Sequence, residues 1–181
     1  MPISLRTFSS PNRHRNQTMN PSEASKTRMK IKKFVLHVDD DPAILGIVRK
    51  SLQIRGYEVV SINDSSKASE AIAKWSPRVI ILDINMPGID GMTLLKEIKQ
   101  RDASVQVVVL TGMVSMATVL QATRLGAQEC VFKPLYSLSN LGNAVDRCFA
   151  NIESWWDALR DWTERKNAMA QTCQSNFVKN H

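Results

Sequence analysis

From Lys33 onward, short apolar runs rich in β-branched residues alternate with segments whose apolar residues recur every three or four positions. The first strand is Phe34–Val38. A helix follows from about Pro42 to Arg55, with Ile44, Leu45, Ile47, Val48 and Leu52 on one face. Asp41-Pro42 suits its N-cap and first position, and Gly56 its stop. Tyr57–Ile62 is the second strand, followed by a helix near Ser65–Lys74. Arg78–Leu82 is the third, followed by Gly91–Gln100. Val105–Leu110 is the fourth, followed by Ser115–Leu125. Gln128–Phe132 is the fifth, and a last helix begins near Leu138. Strands alternating with helices imply βαβ units and a parallel sheet. The third and fourth runs are apolar on both faces, as a sheet covered on both sides requires. The pattern predicts a doubly wound α/β fold.

The net charge of +7 invites a nucleic-acid reading, but its location argues against one. Residues 1–33 carry eight basic side chains against one acid, Glu23, and the remainder balances at sixteen of each. Basicity belongs to a tail. Residues 1–30 are polar, without periodicity, and too poor in apolar side chains to offset their ordering entropy, so disorder is expected. Their Arg- and Ser-rich, acid-poor composition also loosely suits a transit peptide, and Met19 or Met29 are alternative starts. The three cysteines, Cys130, Cys148 and Cys173, form no CxxC pair. Neither a disulfide framework nor a zinc site is supported, and a reducing, cytoplasmic setting fits. No run of about 18 apolar residues exists, so no membrane span is expected.

In open α/β sheets, ligands bind beyond the carboxyl ends of the strands. Strand one ends on Asp39, Asp40 and Asp41, strand three on Asp83, strand four on Thr111 and strand five on Lys133-Pro134. Each has a plain structural use, as a helix cap, a turn residue or a solvated lysine. Together they place acids, a hydroxyl and an amine on one rim. Clustered carboxylates repel, and a hard divalent cation such as Mg²⁺ relieves this through oxygen ligands. An ionised aspartate is a competent nucleophile toward phosphorus. The cation, the Lys133 ammonium and the Thr111 hydroxyl suit the charge of a transferred phosphoryl group.

These residues resemble a known family. Val35-Leu36-His37-Val38-Asp39-Asp40-Asp41-Pro42 is similar to the first strand and acidic pair of response-regulator receiver domains. Ile80 to Gly91 resembles their phosphoacceptor segment, and Val108-Val109-Leu110-Thr111-Gly112 and Cys130 to Leu135 their remaining motifs. The resemblance covers residues 31–150 and implies a flavodoxin-like (βα)₅ fold with strand order 2-1-3-4-5. It further implies that Asp83 accepts a phosphoryl group from a histidine kinase or phosphotransfer protein. Asp39, Asp40, Asp83 and the Asn85 carbonyl would hold Mg²⁺. Thr111 and Lys133 would bind the phosphoryl group, Lys133-Pro134 would be cis, and Gly112 would leave room. Cys130 departs from the pattern, which places an aromatic residue there. Phe132 or Tyr136 are candidates to use the space it leaves. Apolar Met113, two past Thr111, cannot orient an attacking water, so self-dephosphorylation should be slow.

Beyond residue 150 the last helix continues. Leu141, Val145, Cys148, Ile152, Trp155, Leu159 and Trp162 are spaced alternately by four and three, a heptad seam. A helix from Leu138 to Lys166 would run roughly 43 Å. Residues 151–166 are expected to extend the helix and pair with a second copy or dock another protein, and residues 167–181 to be disordered. No DNA-binding pattern follows. Signalling would pass by contact with a downstream protein. Three rival functions would draw on parts of the same residue set. A haloacid-dehalogenase-type phosphatase would use Asp39-x-Asp41. A flavin or nucleotide binder would need a phosphate-cradling loop. A degenerate receiver would serve as a scaffold.

Overall fold

The computed structural model describes residues 31–112, 115–135 and 137–179, with side chains in the last helix described as far as residue 170. Three strands are buried along their whole length: β1 (Phe34–Val38), β3 (Val79–Asp83) and β4 (Gln106–Thr111). These are the runs with no polar alternation, and they occupy the middle of the sheet. β2 (Glu58–Ile62) and β5 (Glu129–Phe132), which mix polar and apolar residues, form the edges. The order is β2-β1-β3-β4-β5, all parallel. Between them lie α1 (Pro42–Ile54), a 3₁₀ turn (Ser65–Lys67) leading into α2 (Ala68–Trp75), α3 (Gly91–Arg101) and α4 (Met116–Arg124). α5 (Leu138–Lys179) closes the chain. The doubly wound fold expected from the sequence is present.

Successive residues of a strand face opposite layers. Leu36, Val38, Ile80, Leu82, Val107 and Val109 pack on Ala71 and Ile72 of α2, Leu94, Leu95 and Ile98 of α3, and Ala122 of α4. The other face, with Val35, Ile81, Val108 and Leu110, is covered by α1 and α5 through Val48, Leu52, Leu141, Val145, Cys148 and Ile152, all buried.

Helix starts follow their capping residues. The Asp41 side chain accepts from the amides of Ala43 (2.8 Å) and Ile44 (3.4 Å), and Pro42 is the first residue of α1. Asp90 and Ser115 cap α3 and α4 in the same way. Gly56 ends the turn after α1 with φ +85, a conformation that costs glycine little.

Two expectations change. Ile47, which the apolar spacing puts on one face with Val48 and Leu52, is 47% exposed; only Val48 and Leu52 of α1 are buried. α5 does not stop near Lys166 but runs to Lys179. No glycine or proline occurs after Gly142, and Ala168, Met169, Ala170 and Gln171 are good helix formers, so nothing in the chain breaks the helix at the end of the heptad seam. The expectations for residues 1–30, Met113 and Tyr136 lie outside the described residues.

Candidate functional site

The C-terminal ends of β1, β3, β4 and β5 meet on one edge, so the residues that end these strands converge. Asp39 is fully buried, Asp83 is 2% exposed and Thr111 fully buried, whereas Asp40 is exposed. One oxygen from each of Asp39, Asp40 and Asp83 lies within 4.8 Å of the others. Lys133 reaches in from the end of β5. Its Nζ is 2.8 Å from Asp83 Oδ2, to which it donates a hydrogen bond, and 2.8 Å from Asp39 Oδ2 in an ion pair. One ammonium therefore bridges two buried carboxylates.

The remaining oxygens are held by the backbone. Asp39 Oδ1 accepts from the Asp41 amide and Asp83 Oδ1 from the Asn85 amide, each at 3.0 Å. The Lys133 amide donates to the Thr111 carbonyl at 2.8 Å, tying lysine and threonine together, and the Lys133-Pro134 peptide is cis. Thr111 stands in register with Phe132 on β5, and Asp83 with Leu110 on β4.

Charge follows this geometry. Burial pushes the Asp39 carboxyl up, but contacts from His37, Lys133 and the Asp41 amide outweigh it and hold the group below the ordinary 3.8. Burial pulls the Lys133 ammonium down, and the two carboxylates outweigh that and raise it above 10.5. Both groups are charged at neutral pH.

The loop after Asp83 is clamped. The Gly91 amide donates to the Ile84 carbonyl at 3.3 Å. Ser65 Oγ donates to the Pro87 carbonyl at 3.1 Å and accepts from the Ile89 amide at 3.4 Å. A Cβ on Gly91 would stand 2.4 Å from both the Asp83 carbonyl oxygen and Ile84 Cα, so α3 approaches β3 only because this residue lacks a side chain. Beside Gly112 a Cβ would meet nothing within 4 Å among the described residues, so none of them crowds this side of Thr111.

Asp39, Asp40, Asp83, Asn85, Thr111 and Lys133 thus share one edge. Asp41 leaves the set, because its carboxylate is engaged in capping α1. That also removes the second acid of the Asp39-x-Asp41 pattern on which a phosphatase reading rested. Two participants, Ser65 and His37, are not among the residues the sequence singles out. Ser65 lies in an unremarkable turn after β2. His37 sits mid-strand, fully buried, with Nε2 3.7 Å from Asp39 Oδ2 and no hydrogen-bond partner for either ring nitrogen among the described residues. A histidine inside an apolar strand was the available hint. Cys130 is half-buried at the edge of the core, and Phe132, on the same side of β5, is 39% exposed.

The response regulator receiver domain profile matches residues 35–146. The chain belongs to that family. Over 103 residues it is 38% identical to the C4-dicarboxylate transport transcriptional regulatory protein DctD of Pseudomonas aeruginosa, covering 57% of this chain but only 22% of the regulator. The chemotaxis protein CheY of Bacillus subtilis is 35% identical over 101 residues, which are 55% of this chain and 84% of that protein. A solved receiver domain from Clostridium thermocellum superimposes with a TM-score of 0.63 at 27% identity, covering 67% of this chain and 98% of that one. The match to DctD thus spans about a fifth of that relative, whereas CheY is matched over most of its length. Among the described residues, no helix is long and apolar enough to cross a membrane.

Proposed function

We propose that Asp83 accepts a phosphoryl group from a histidine kinase or a phosphotransfer protein, and that the chain signals as a response regulator through contact with a downstream protein. The observation that carries this reading is the Lys133 bridge. A single ammonium holds Asp83 and Asp39 at 2.8 Å each, with Asp40 alongside. Each buried acid is thereby paired with a positive charge, and a carboxylate oxygen held in place is what attack on phosphorus needs.

The donor set fits Mg²⁺. Three carboxylates each offer an oxygen to a common point, two of them buried and the third open to water. Hard oxygen ligands with room for water suit this ion. Asp39, Asp40 and Asp83 would hold it with the Asn85 carbonyl. When bound, the ion neutralises the acids and stabilises charge on the transferred group.

The chain's own residues supply the rest. Asp83 attacks phosphorus, the donor's P–N bond breaks, and the histidine leaves with the electron pair. Lys133 moves its partnership from the free carboxylate to the phosphoryl oxygens, and the Thr111 hydroxyl, next to Gly112, offers a further hydrogen bond. The clamp of Ser65 and Gly91 keeps the loop in place during this exchange. Loss of the phosphoryl group is slow on this reading, because apolar Met113, two residues past Thr111 in the sequence, cannot orient an attacking water. The sparse cysteines and the kinase partner suit a cytoplasmic setting.

Incubation with Mg²⁺ and acetyl phosphate, followed by intact mass measurement, tests the reading. A single phosphoryl adduct is expected on the native chain and none on Asp83→Asn or in EDTA. An equal adduct on Asp83→Asn would overturn it.

A further inference from the structure

α5 is 42 residues long, but only its first part has a sheet beneath it. Ile152 is its last buried residue, and from Ser154 to Ala170 every side chain is exposed except that of half-buried Arg160. Trp155, Trp156, Leu159, Trp162 and Met169 are 47%, 38%, 56%, 61% and 69% exposed. At about 100° per residue, the three tryptophans and Leu159 fall within roughly 60° either side of the direction in which Leu141, Val145, Cys148 and Ile152 meet the sheet. The free stripe is a straight continuation of the docked face. Glu153, Asp157, Asp161 and Glu164 point away from it and Arg160 lies at its margin, so the a/d positions between 153 and 164 carry no charge.

We propose that the part of α5 beyond Ile152 pairs with the same segment of a second copy of this chain, and that the two helices run antiparallel. The seam keeps the three-four spacing of helices that pack knobs into holes, and it is self-complementary. Its area suffices. With full side-chain areas of about 150–250 Å², the exposed parts of these five residues come to roughly 600 Å² per chain, or about 1,200 Å² per pair. A specific interface needs about 1,000 Å².

The direction follows from the continuity of the face. In a parallel pair the partner helix would lie on the seam and, one turn before Trp155, run into the receiver that already covers that face at Ile152. Its own receiver would collide likewise. In an antiparallel pair each receiver sits at an opposite end, on an opposite side of a rod. Residues 153–179 supply roughly 40 Å of rod at about 1.5 Å per residue. A centre at Glu164 sets Leu159 against the partner's Met169 and Trp162 against the partner's Lys166. Lys166 is the one charge in the a/d positions of the seam here, and in its own chain it already lies 5.2 Å from the Trp162 ring, so the contact suits an ammonium on an indole face. α5 begins just past Lys133, at the Asp83 edge. The two phosphoacceptor edges therefore stand at the far ends of the assembly, open to a kinase.

Sedimentation of the full chain from 1 to 100 µM tests the pairing. A dimer is expected, with a dissociation constant raised at least a hundredfold by Trp155→Glu with Trp162→Glu, while the circular dichroism of the receiver is unchanged. Leu159→Lys should weaken it in the same direction. Spin labels on an encoded non-natural residue, which leaves the native cysteines untouched, read the orientation. Labels at 164 should lie close together, and labels at 153 about 35 Å apart. A monomer at 100 µM, or a dimer indifferent to these substitutions, would overturn the pairing. Equal distances at 153 and 164 would overturn the antiparallel arrangement.

Discussion

Lys133 is the residue on which the site's charge balance turns, because it is the shared partner of Asp39 and Asp83. Removing one member of a buried ionic cluster leaves the others uncompensated, at about 3 kcal/mol. Lys133→Met should therefore lower stability by about that much in EDTA, measured by urea unfolding at pH 7, and Mg²⁺ should restore part of it by neutralising the same acids. Its rate of labelling by acetyl phosphate should fall at least tenfold. An unchanged unfolding midpoint in EDTA would mean that the bridge adds nothing to stability. The two glycines of the rim make a sharper comparison. Gly91→Ala forces a methyl against the backbone of Asp83 and Ile84, where nothing flexible can yield. Overpacking of this kind costs about 1–3 kcal/mol and here displaces the phosphoacceptor itself. Gly112→Ala meets nothing within 4 Å among the described residues. Thermal unfolding and adduct yield should both fall for Gly91→Ala and stay near native for Gly112→Ala. Equal behaviour of the pair would show that the close approach of α3 to β3 is not needed.

Among the elements, β1, β3 and β4 were legible because burial on both faces leaves an uninterrupted apolar run, and the ends of β1, β3, β4 and β5 were marked by polar residues. The start of α1 was legible through Asp41-Pro42, whereas the caps Asp90 and Ser115 emerge only in the structure. Two further things were not legible. The exposed side of α1 was misjudged because Ile47 lies at the margin of the apolar stripe, about 60° from Ile44 and about 100° from Val48, and composition cannot say where the sheet edge ends. The tie between α1 and α5 was invisible because it joins residues about ninety positions apart. Tyr57 Oη donates to Asp146 Oδ1, and Arg55 reaches Asp146 Oδ2 at 2.7 Å and Asn143 Oδ1 at 3.1 Å. Hydrogen bonds to a charged group contribute about 1.5–3 kcal/mol, and Asp146→Ala should cost near the lower end because its carboxylate is partly exposed. Burial, reinforced by the Asp146 carboxylate, raises the Tyr57 hydroxyl above its ordinary 10.0. A proton held more tightly in the fold stabilises it fully below the unfolded value and less as pH rises past it. The stability gap between the native chain and Tyr57→Phe should thus be steady from pH 7 to about 9 and close above pH 10. A gap that widens with pH would contradict the assigned bond.

The molecule as a whole divides at Ile152, although α5 itself does not. Cys148 is fully buried, Phe149 and Ile152 are each 3% exposed, and Phe149 stacks on Tyr57 with ring centroids 5.1 Å apart. Losing a large buried side chain costs about 2–5 kcal/mol, so losing Phe149 and Ile152 together consumes most of the 5–15 kcal/mol that holds a domain folded. A chain ending at Val145 should fail to fold. A chain ending at Glu153 keeps every buried residue of α5 and should fold, bind Mg²⁺ and take up the phosphoryl group on Asp83 at the native rate. What it loses is the exposed half of the helix, which an isolated receiver cannot bury. Association that favours the folded state makes the unfolding temperature depend on protein concentration. The full chain should therefore melt higher at 100 µM than at 1 µM, and the chain ending at Glu153 should melt at one temperature throughout. Loss of folding on ending at Glu153 would show that the tryptophan-bearing half supports its own receiver, and the boundary at Ile152 would then be misplaced.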